Sequence, residues 1–224
     1  MKVAVVTALS GLDQATIQDP AHKFAYVDYY AFTNKTFANK IWHTRPLWEF
    51  SSDSEYRDRR NAKLAKVMAW ALIPGYDYYI WHDAHCEVVM DPKLLVEQYL
   101  AQSDIAVFKH PERNCSYAEL QVLASRSLDQ GSRLMTTLEF LQQRQWPISA
   151  GLFELTSFIY RPSASVQKMM LAWWEMICAH TSRDQVLFPV AMHDHNVKYS
   201  ILPGYALPYA GSNNIFPSRR WKTS

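Results

Sequence analysis

The run Tyr78-Tyr79-Ile80-Trp81-His82-Asp83-Ala84-His85 starts as a strand and ends in possible ligands. Tyr, Ile and Trp favour a pleated, buried strand, and Pro74-Gly75 just before it breaks a preceding helical pattern. A strand that stops at Asp83-Ala84-His85 puts a hard carboxylate oxygen and an imidazole at the carboxyl end of a sheet, where open α/β sheets bind ligands. Asp83 can equally cap a turn and His85 lie on the surface, so the stretch alone leaves both readings open. A second spot is Ser182-Arg183-Asp184-Gln185. Ser182 with Gln185 three residues on spells a capping box. That places Asp184 in the first turn of a helix, near its positive end, where merely complementing the dipole is the plainer role. Pro189 follows so soon that this helix must be short or kinked. A third spot, His193-Asp194-His195, offers further imidazole and carboxylate. Arg60, Lys63 and Lys66 recur at i, i+3 and i+6, within an arc of about 120° on a helix. They form one cationic stripe, which is either an ordinary solvated face or a clamp for a diphosphate.

These residues need elements to carry them. Lys2 to Thr7 is Val-rich and nearly continuous, as in a strand of a parallel sheet covered on both faces. Ala8 to Gly11 then forms the loop at its carboxyl end, a place that commonly touches a nucleotide. No G-x-G-x-x-G or P-loop occurs, which argues against a dinucleotide dehydrogenase and a P-loop ATPase. Phe24 to Thr33 reads as a second strand, and Ile41 to Phe50 as a short irregular one. Asp53 to Glu55 supplies helix-start residues for a helix from about Tyr56 to Ile73. Asp91-Pro92 opens another helix, running to about Ala101. Asp104 to Lys109 is a short strand that delivers His110-Pro111-Glu112-Arg113 to its end. A long helical region follows from Ser116 to Gln145, interrupted near Gly131. Thr156 to Arg161 is a strand after Glu154, Ser163 caps a helix to about His180, and Lys198 to Leu202 is the last strand. The tail from Pro203 is irregular in composition and could fold over the cleft as a lid.

Composition narrows the function classes. Hydrophobic residues at 49% and charged residues at 20% can build a core over 224 residues. A net charge of +2, spread in local clusters, does not suggest a nucleic-acid binder. Cys86, Cys115 and Cys178 form no C-x-x-C pattern and no disulfide framework, as suits a reducing compartment. The N-terminal apolar run is too short for a signal peptide, and no run approaches the roughly 18 apolar residues of a membrane helix. The expectation is a cytoplasmic protein, with peripheral association with a membrane left open.

Taken in order, the runs Arg60-Asn61-Ala62-Lys63-Leu64-Ala65-Lys66, Tyr78 to Ala84, His110 to Glu119 and Ile159-Tyr160-Arg161, with Trp174 ahead of Ser182-Arg183-Asp184-Gln185, form a familiar set. The chain resembles the glycosyltransferase-like domain shared by plant proteins of the mucilage and pollen-turgor type and by bacterial polysaccharide gene clusters. The likeness covers about residues 26 to 202. It implies an α/β, GT-A-like fold: a Rossmann-type mixed sheet flanked by helices, in a single domain. Residues 1–110 would be the nucleotide-sugar-binding half, 111–202 the acceptor and catalytic half, and 203–224 the tail. By position, Asp83 stands at the D-x-D-type aspartate of such enzymes, but the third position is His85, not Asp. The resemblance implies a divalent metal, Mn²⁺ above all, held by Asp83 and His85 with a late ligand from His193 or, as the first choice, His195, although carboxylates suit that metal better than imidazole. Thr7, Arg60, Lys63, Lys66, Asp83 and Ala84 would bind the donor, while His110, Arg113 and Arg183 line the acceptor side. Asp184 is the first candidate for the carboxylate near the anomeric carbon and Glu154 the second, by analogy with glycoside hydrolysis. The expected activity is sugar transfer from a nucleotide sugar to a glycan acceptor, such as a capsule or lipopolysaccharide precursor. An inactive nucleotide-sugar-binding protein and a metal-dependent hydrolase are the alternatives.

Overall fold

A computed structural model describes residues 1–11, 17–49, 56–204 and 215–216. The first strand, β1 (Val3–Ala8), is buried along its whole length, as its unbroken apolar sequence requires when helices cover both faces of a sheet. It pairs in parallel with β2 (Val27–Phe32) on one side and with β4 (Tyr78–His82) on the other. β3 (His43–Arg45) adds in parallel to the far side of β2. β6 (Phe153–Tyr160) runs antiparallel between β4 and β5 (Ile105–Lys109), and β7 (Tyr199–Ile201) closes the far edge parallel to β5. The order is β3-β2-β1-β4-β6-β5-β7. The expected α/β architecture, a Rossmann-type mixed sheet flanked by helices, is what forms.

Alternation along the strands divides the core. Ala4, Val6 and Ala8 of β1 pack toward Ala65, Val67 and Ala69 of α1 (Arg57–Leu72) and Val166, Met169 and Trp173 of α5 (Ala164–Ala179). Val3 and Val5 face the other way, toward Leu95 of α2 (Pro92–Tyr99) and Leu100. Ile215 and Phe216 of the tail are buried on this second face, where Phe216 meets Phe108 edge-on at 6.0 Å. The rest of the lid expected from the tail, and the helix-start residues Asp53 to Glu55, lie outside the described residues, apart from Pro203 and Gly204. A third cluster joins α3 (Ser116–Ser125) and α4 (Gly131–Gln143) to Val186, Leu187 and Val190.

The helical region over 116–145 is interrupted near Gly131 as expected: the break spans 126–130 with Ser127 in the left-handed region, and Gly131 opens α4. β6 begins three residues earlier than expected and carries an irregularity where Val107 pairs with Phe158 but Phe108 with Glu154. Bulges of this kind occur near functional sites, and this one lies near the carboxyl end of β5, where the antiparallel β6 begins. The loop after β1 closes on α1: Ser10 Oγ donates to Asp58 Oδ1 at 2.8 Å. Gly11 has φ of +76°, and a Cβ there would collide with the Asp58 carboxylate, so only glycine fits.

Candidate functional site

The sheet order reverses between β1 and β4, since β2 and β3 build outward on one side before the chain crosses to the other. Ligand sites form at the carboxyl edge of such a switch. A cleft of about 460 Å³ lies at this edge. Its described wall draws Arg59, Lys63 and Lys66 from α1, Asp83 and His85 from beyond β4, and His110 and Arg113 from beyond β5. Glu119 and Arg126 come from α3 and its end, Glu154 from β6, and Arg183, Asp184 and Gln185 from the turn after α5. β6 is antiparallel, so its first residues reach the same edge as the ends of its neighbours, and the backbone N–H of Asp83 donates to Thr156 O at 2.8 Å.

The centre of the wall is a three-charge cluster. Asp184 Oδ2 lies 2.7 Å from Lys63 Nζ and 2.5 Å from Lys66 Nζ. Lys66 is only 2% exposed and its ammonium also sits 5.7 Å from the Trp81 ring centroid. Burial acts to raise the Asp184 carboxyl, but the two lysines outweigh it and hold it well below the usual carboxylate range. Burial lowers Lys63 to about 8, with Asp184 pulling it back up and Lys66 pushing it down. Two ammonium groups on one carboxylate leave this cluster with surplus positive charge facing the cleft.

A second group lies across the cleft. Glu119, 3% exposed, accepts from Arg113 Nε at 2.6 Å, and Arg113 also reaches Glu112 at 2.7 Å. His110 Nδ1 accepts from the backbone N–H groups of Glu112 and Arg113 at 3.2 and 3.1 Å. The imidazole thus holds its own loop, and Arg113 Nη2 lies 3.2 Å from its Nε2 on the other side of the ring. Burial and then Arg113 lower the His110 pKa against the pull of Glu119 and Glu112.

The structure gathers most of the expected residues: Lys63, Lys66, Asp83, His85, His110, Arg113, Glu154, Arg183 and Asp184 all line the cleft. Others fall elsewhere. Arg60 is buried against α5, where its guanidinium donates to the carbonyls of Ile177 and His180 at 2.6 and 3.1 Å. Carbonyls at a helix C-terminus lack helical partners, so Arg60 closes a helix end and does not line the cleft. Arg59 takes the third place in the cationic stripe. At i, i+4 and i+7, Arg59, Lys63 and Lys66 span only about 60°, tighter than the set starting at Arg60. Thr7 is fully buried within β1, and neither it nor Ala84 is on the described wall.

The turn 181–185 also differs. Ser182 caps no helix: its backbone N–H and hydroxyl both donate to Asp129 Oδ2, at 2.6 and 2.9 Å. Asp184 therefore sits in a turn before the short helix α6 (Phe188–Asp194), whose start is set by Pro189. His195, expected as a metal ligand, is the residue after α6 and is not on the cleft wall. Its neighbour Asp194 pairs with Arg144 at 2.5 Å, and exposed His193 lies edge-on to Trp146. Asp83 and His85 remain as two donors in one cleft, and among the described residues no group of three or more His, Cys, Asp or Glu is placed to hold a metal ion. A dication would need its other ligands from substrate oxygens or water. No described helix is long and apolar enough to cross a membrane.

Arg59, Arg126, Glu119 and Asp129 were not assigned roles from sequence. Arg59 was legible in the helical spacing. Asp129 carried no sequence signal, since it stands next to Gln130 in an interhelical break and acts over about fifty residues.

Residues 41–202 match the TOD1/MUCI70, glycosyltransferase-like domain. The probable hexosyltransferase MUCI70 of Arabidopsis thaliana is 24% identical over 140 residues, covering 58% of this chain and 24% of that protein, so the chain spans about a quarter of the relative's length. Mouse xyloside xylosyltransferase 1 in its apo form aligns with 90% of this chain and 84% of its own, at 10% identity and a TM-score of 0.48. The apo WbbM bifunctional glycosyltransferase aligns with 90% of this chain and 39% of its own, at 14% identity and a TM-score of 0.48. With well over half its length matched by the family, the chain belongs to the TOD1/MUCI70 glycosyltransferase-like domain family.

Proposed function

We propose that this chain transfers a hexose from a nucleotide-sugar donor to a glycan acceptor, using the cleft at the carboxyl edge of the sheet. The observation that carries this reading is the charge of that cleft. Its described wall holds six Arg and Lys side chains against four carboxylates, and two of the cations share Asp184. An excess of about two positive charges suits a leaving nucleoside diphosphate, and preorganised cations act most strongly in a site shielded from water. Arg59, Lys63 and Arg183, which line the cleft, would receive the phosphates.

Asp184 is fully ionised at neutral pH and is a weak base for the same reason: its two ammonium partners favour the charged form. Its role in the reaction is then electrostatic, holding Lys63 and Lys66 in place; with both lysines on it, it lends little negative charge to the anomeric carbon. Glu154, 2% exposed where β6 enters the cleft, is the second carboxylate for that carbon. His110, Arg113 and Glu119 form the acceptor wall. Asp83 and His85 would hold a Mn²⁺ ion jointly with substrate oxygens. Such an ion would neutralise charge developing on the diphosphate. A surface polysaccharide precursor is the acceptor suggested by the bacterial members of the family, in a cytoplasmic setting that the free Cys86, Cys115 and Cys178 suit.

Release of free nucleotide from UDP-, GDP-, CMP- and dTDP-sugars, with and without Mn²⁺, tests the reading. The expected result is slow hydrolysis of one donor class even without acceptor. Absence of both turnover and nucleotide-induced thermal stabilisation across the panel would contradict it.

A further inference from the structure

The break between α3 and α4 contains Asp129, 4% exposed and without direct access to the cleft wall. Its Oδ2 accepts from Thr181 Oγ1 at 2.6 Å, from Ser182 N at 2.6 Å and from Ser182 Oγ at 2.9 Å, while Oδ1 accepts from Gln130 N at 2.8 Å. Thr181 Oγ1 in turn accepts from Arg183 N at 3.1 Å, so the bonds continue to the residue beside Asp184. Arg59 of the cleft wall spans the same junction, donating to Leu128 O at 2.8 Å and Ser182 Oγ at 3.4 Å. One buried carboxylate thus ties the α3–α4 break to the turn that ends in the cleft. A carboxylate accepting several such bonds stays ionised and is costly to leave half-satisfied.

We propose that Asp129 is a positioning residue for the transfer reaction: it fixes the turn 181–185 so that Asp184 meets Lys63 and Lys66 at the cleft wall. Its kinetic part rests on the glycosyl-transfer reading above; its structural part does not. Side chains held by such a supporting shell lose their productive geometry when that shell loosens.

Amine acylation of the folded chain, read by peptide mass spectrometry, follows Lys63 and Lys66 against exposed Lys23 and Lys109 without any substrate. Asp184→Asn, which frees both lysines, sets the reference level. Thr181→Val and Ser182→Ala each remove a donor to Asp129, and Asp129→Asn removes its charge. All three are expected to raise labelling of Lys63 by about threefold or more as the wall opens locally, with Lys23 and Lys109 unchanged. Donor cleavage is expected to fall about tenfold to a hundredfold in Asp129→Asn. Adding that change to Asp184→Asn should cost less than about twofold more, because the two act through one arrangement. Unchanged Lys63 labelling in all three variants, alongside a rise in Asp184→Asn, would overturn the proposal, as would fully additive kinetic losses. If the wild-type chain neither cleaves nor is stabilised by any donor of the panel, the transfer reading fails while labelling still decides the role of Asp129. If Asp129→Asn does not fold, the Thr181 and Ser182 variants decide it.

Discussion

Asp83-Ala84-His85 and His193-Asp194-His195 are near-equivalents in residue type, and the fold treats them oppositely. The first follows a central strand at the edge where the sheet order reverses, and both its polar residues face a cleft rich in buried charge. The second ends a short helix, where Asp194 is held by Arg144 and His193 is 75% exposed. The difference teaches that ligand-type residues acquire a function from the element that ends beside them. A carboxylate on a surface ion pair can move with the solvent, whereas one at a sheet edge meets groups delivered by several other elements.

The largest contrast expected is between Asp184 and Asp194. Replacing Asp184 with Ala leaves Lys63 and Lys66 packed beside each other without a counter-charge, at a cost of about 3–5 kcal/mol. Asp194→Ala removes a partly exposed pair and should cost about 0–1 kcal/mol. Urea denaturation of both variants measures this directly, and equal costs would erase the distinction drawn between the two regions.

Arg59 and Arg60 sharpen the contrast within one helix. Arg59→Met should raise KM for the donor by about tenfold, as expected for loss of one charge-assisted contact, with a modest fall in thermal midpoint from the lost bonds to Leu128 O and Ser182 Oγ. Arg60→Met should lower the midpoint further, because it strips donors from the Ile177 and His180 carbonyls, while leaving KM nearly unchanged. The two arginines are neighbours on α1, and one lines the cleft while the other is buried against α5. A cationic stripe was visible, but only the packing of α5 shows which arginine is consumed at a helix end.

The pH dependence gives a smaller effect. Lys63 is lowered from its usual value to about 8. The unfolded chain therefore binds more protons there between about pH 8 and the ordinary lysine range, so this group adds stability as pH rises through that window. Activity should move the other way, declining above about pH 8 as the cleft loses a cation. Asp184 has a lowered pKa, so its contribution is present above the ordinary carboxylate range and is lost only as pH falls well below it. Calorimetry and donor cleavage across pH 6–10 would show the opposed trends, while a flat activity profile through pH 8 would remove Lys63 from the reaction.

Much of the fold was legible because its signals are local. The apolar run of β1, the Pro74-Gly75 stop before β4 and the Asp91-Pro92 start of α2 each carry their own physical cause, and all three elements formed. The cleft was legible in part, since Asp83, Lys63, Lys66 and Asp184 announced themselves by charge in or beside apolar runs. What could not be read was the pairing. Ser182 and Gln185 satisfy the spacing of a capping box, yet the Asp129 carboxylate, from a distant break, takes the serine instead. His195 resembles a late metal ligand until the topology places it after α6, away from the cleft wall.

The central claim, that the β4 edge and not the α6 end is the reacting site, is tested most directly by donor cleavage in Asp83→Ala and His195→Ala measured side by side. The account predicts a loss of about a hundredfold to a thousandfold in kcat/KM for Asp83→Ala, with only a small fall in thermal midpoint from the lost Trp81 Nε1–Asp83 Oδ1 bond, and wild-type turnover for His195→Ala. Full activity in Asp83→Ala, or an equal loss in His195→Ala, would contradict it.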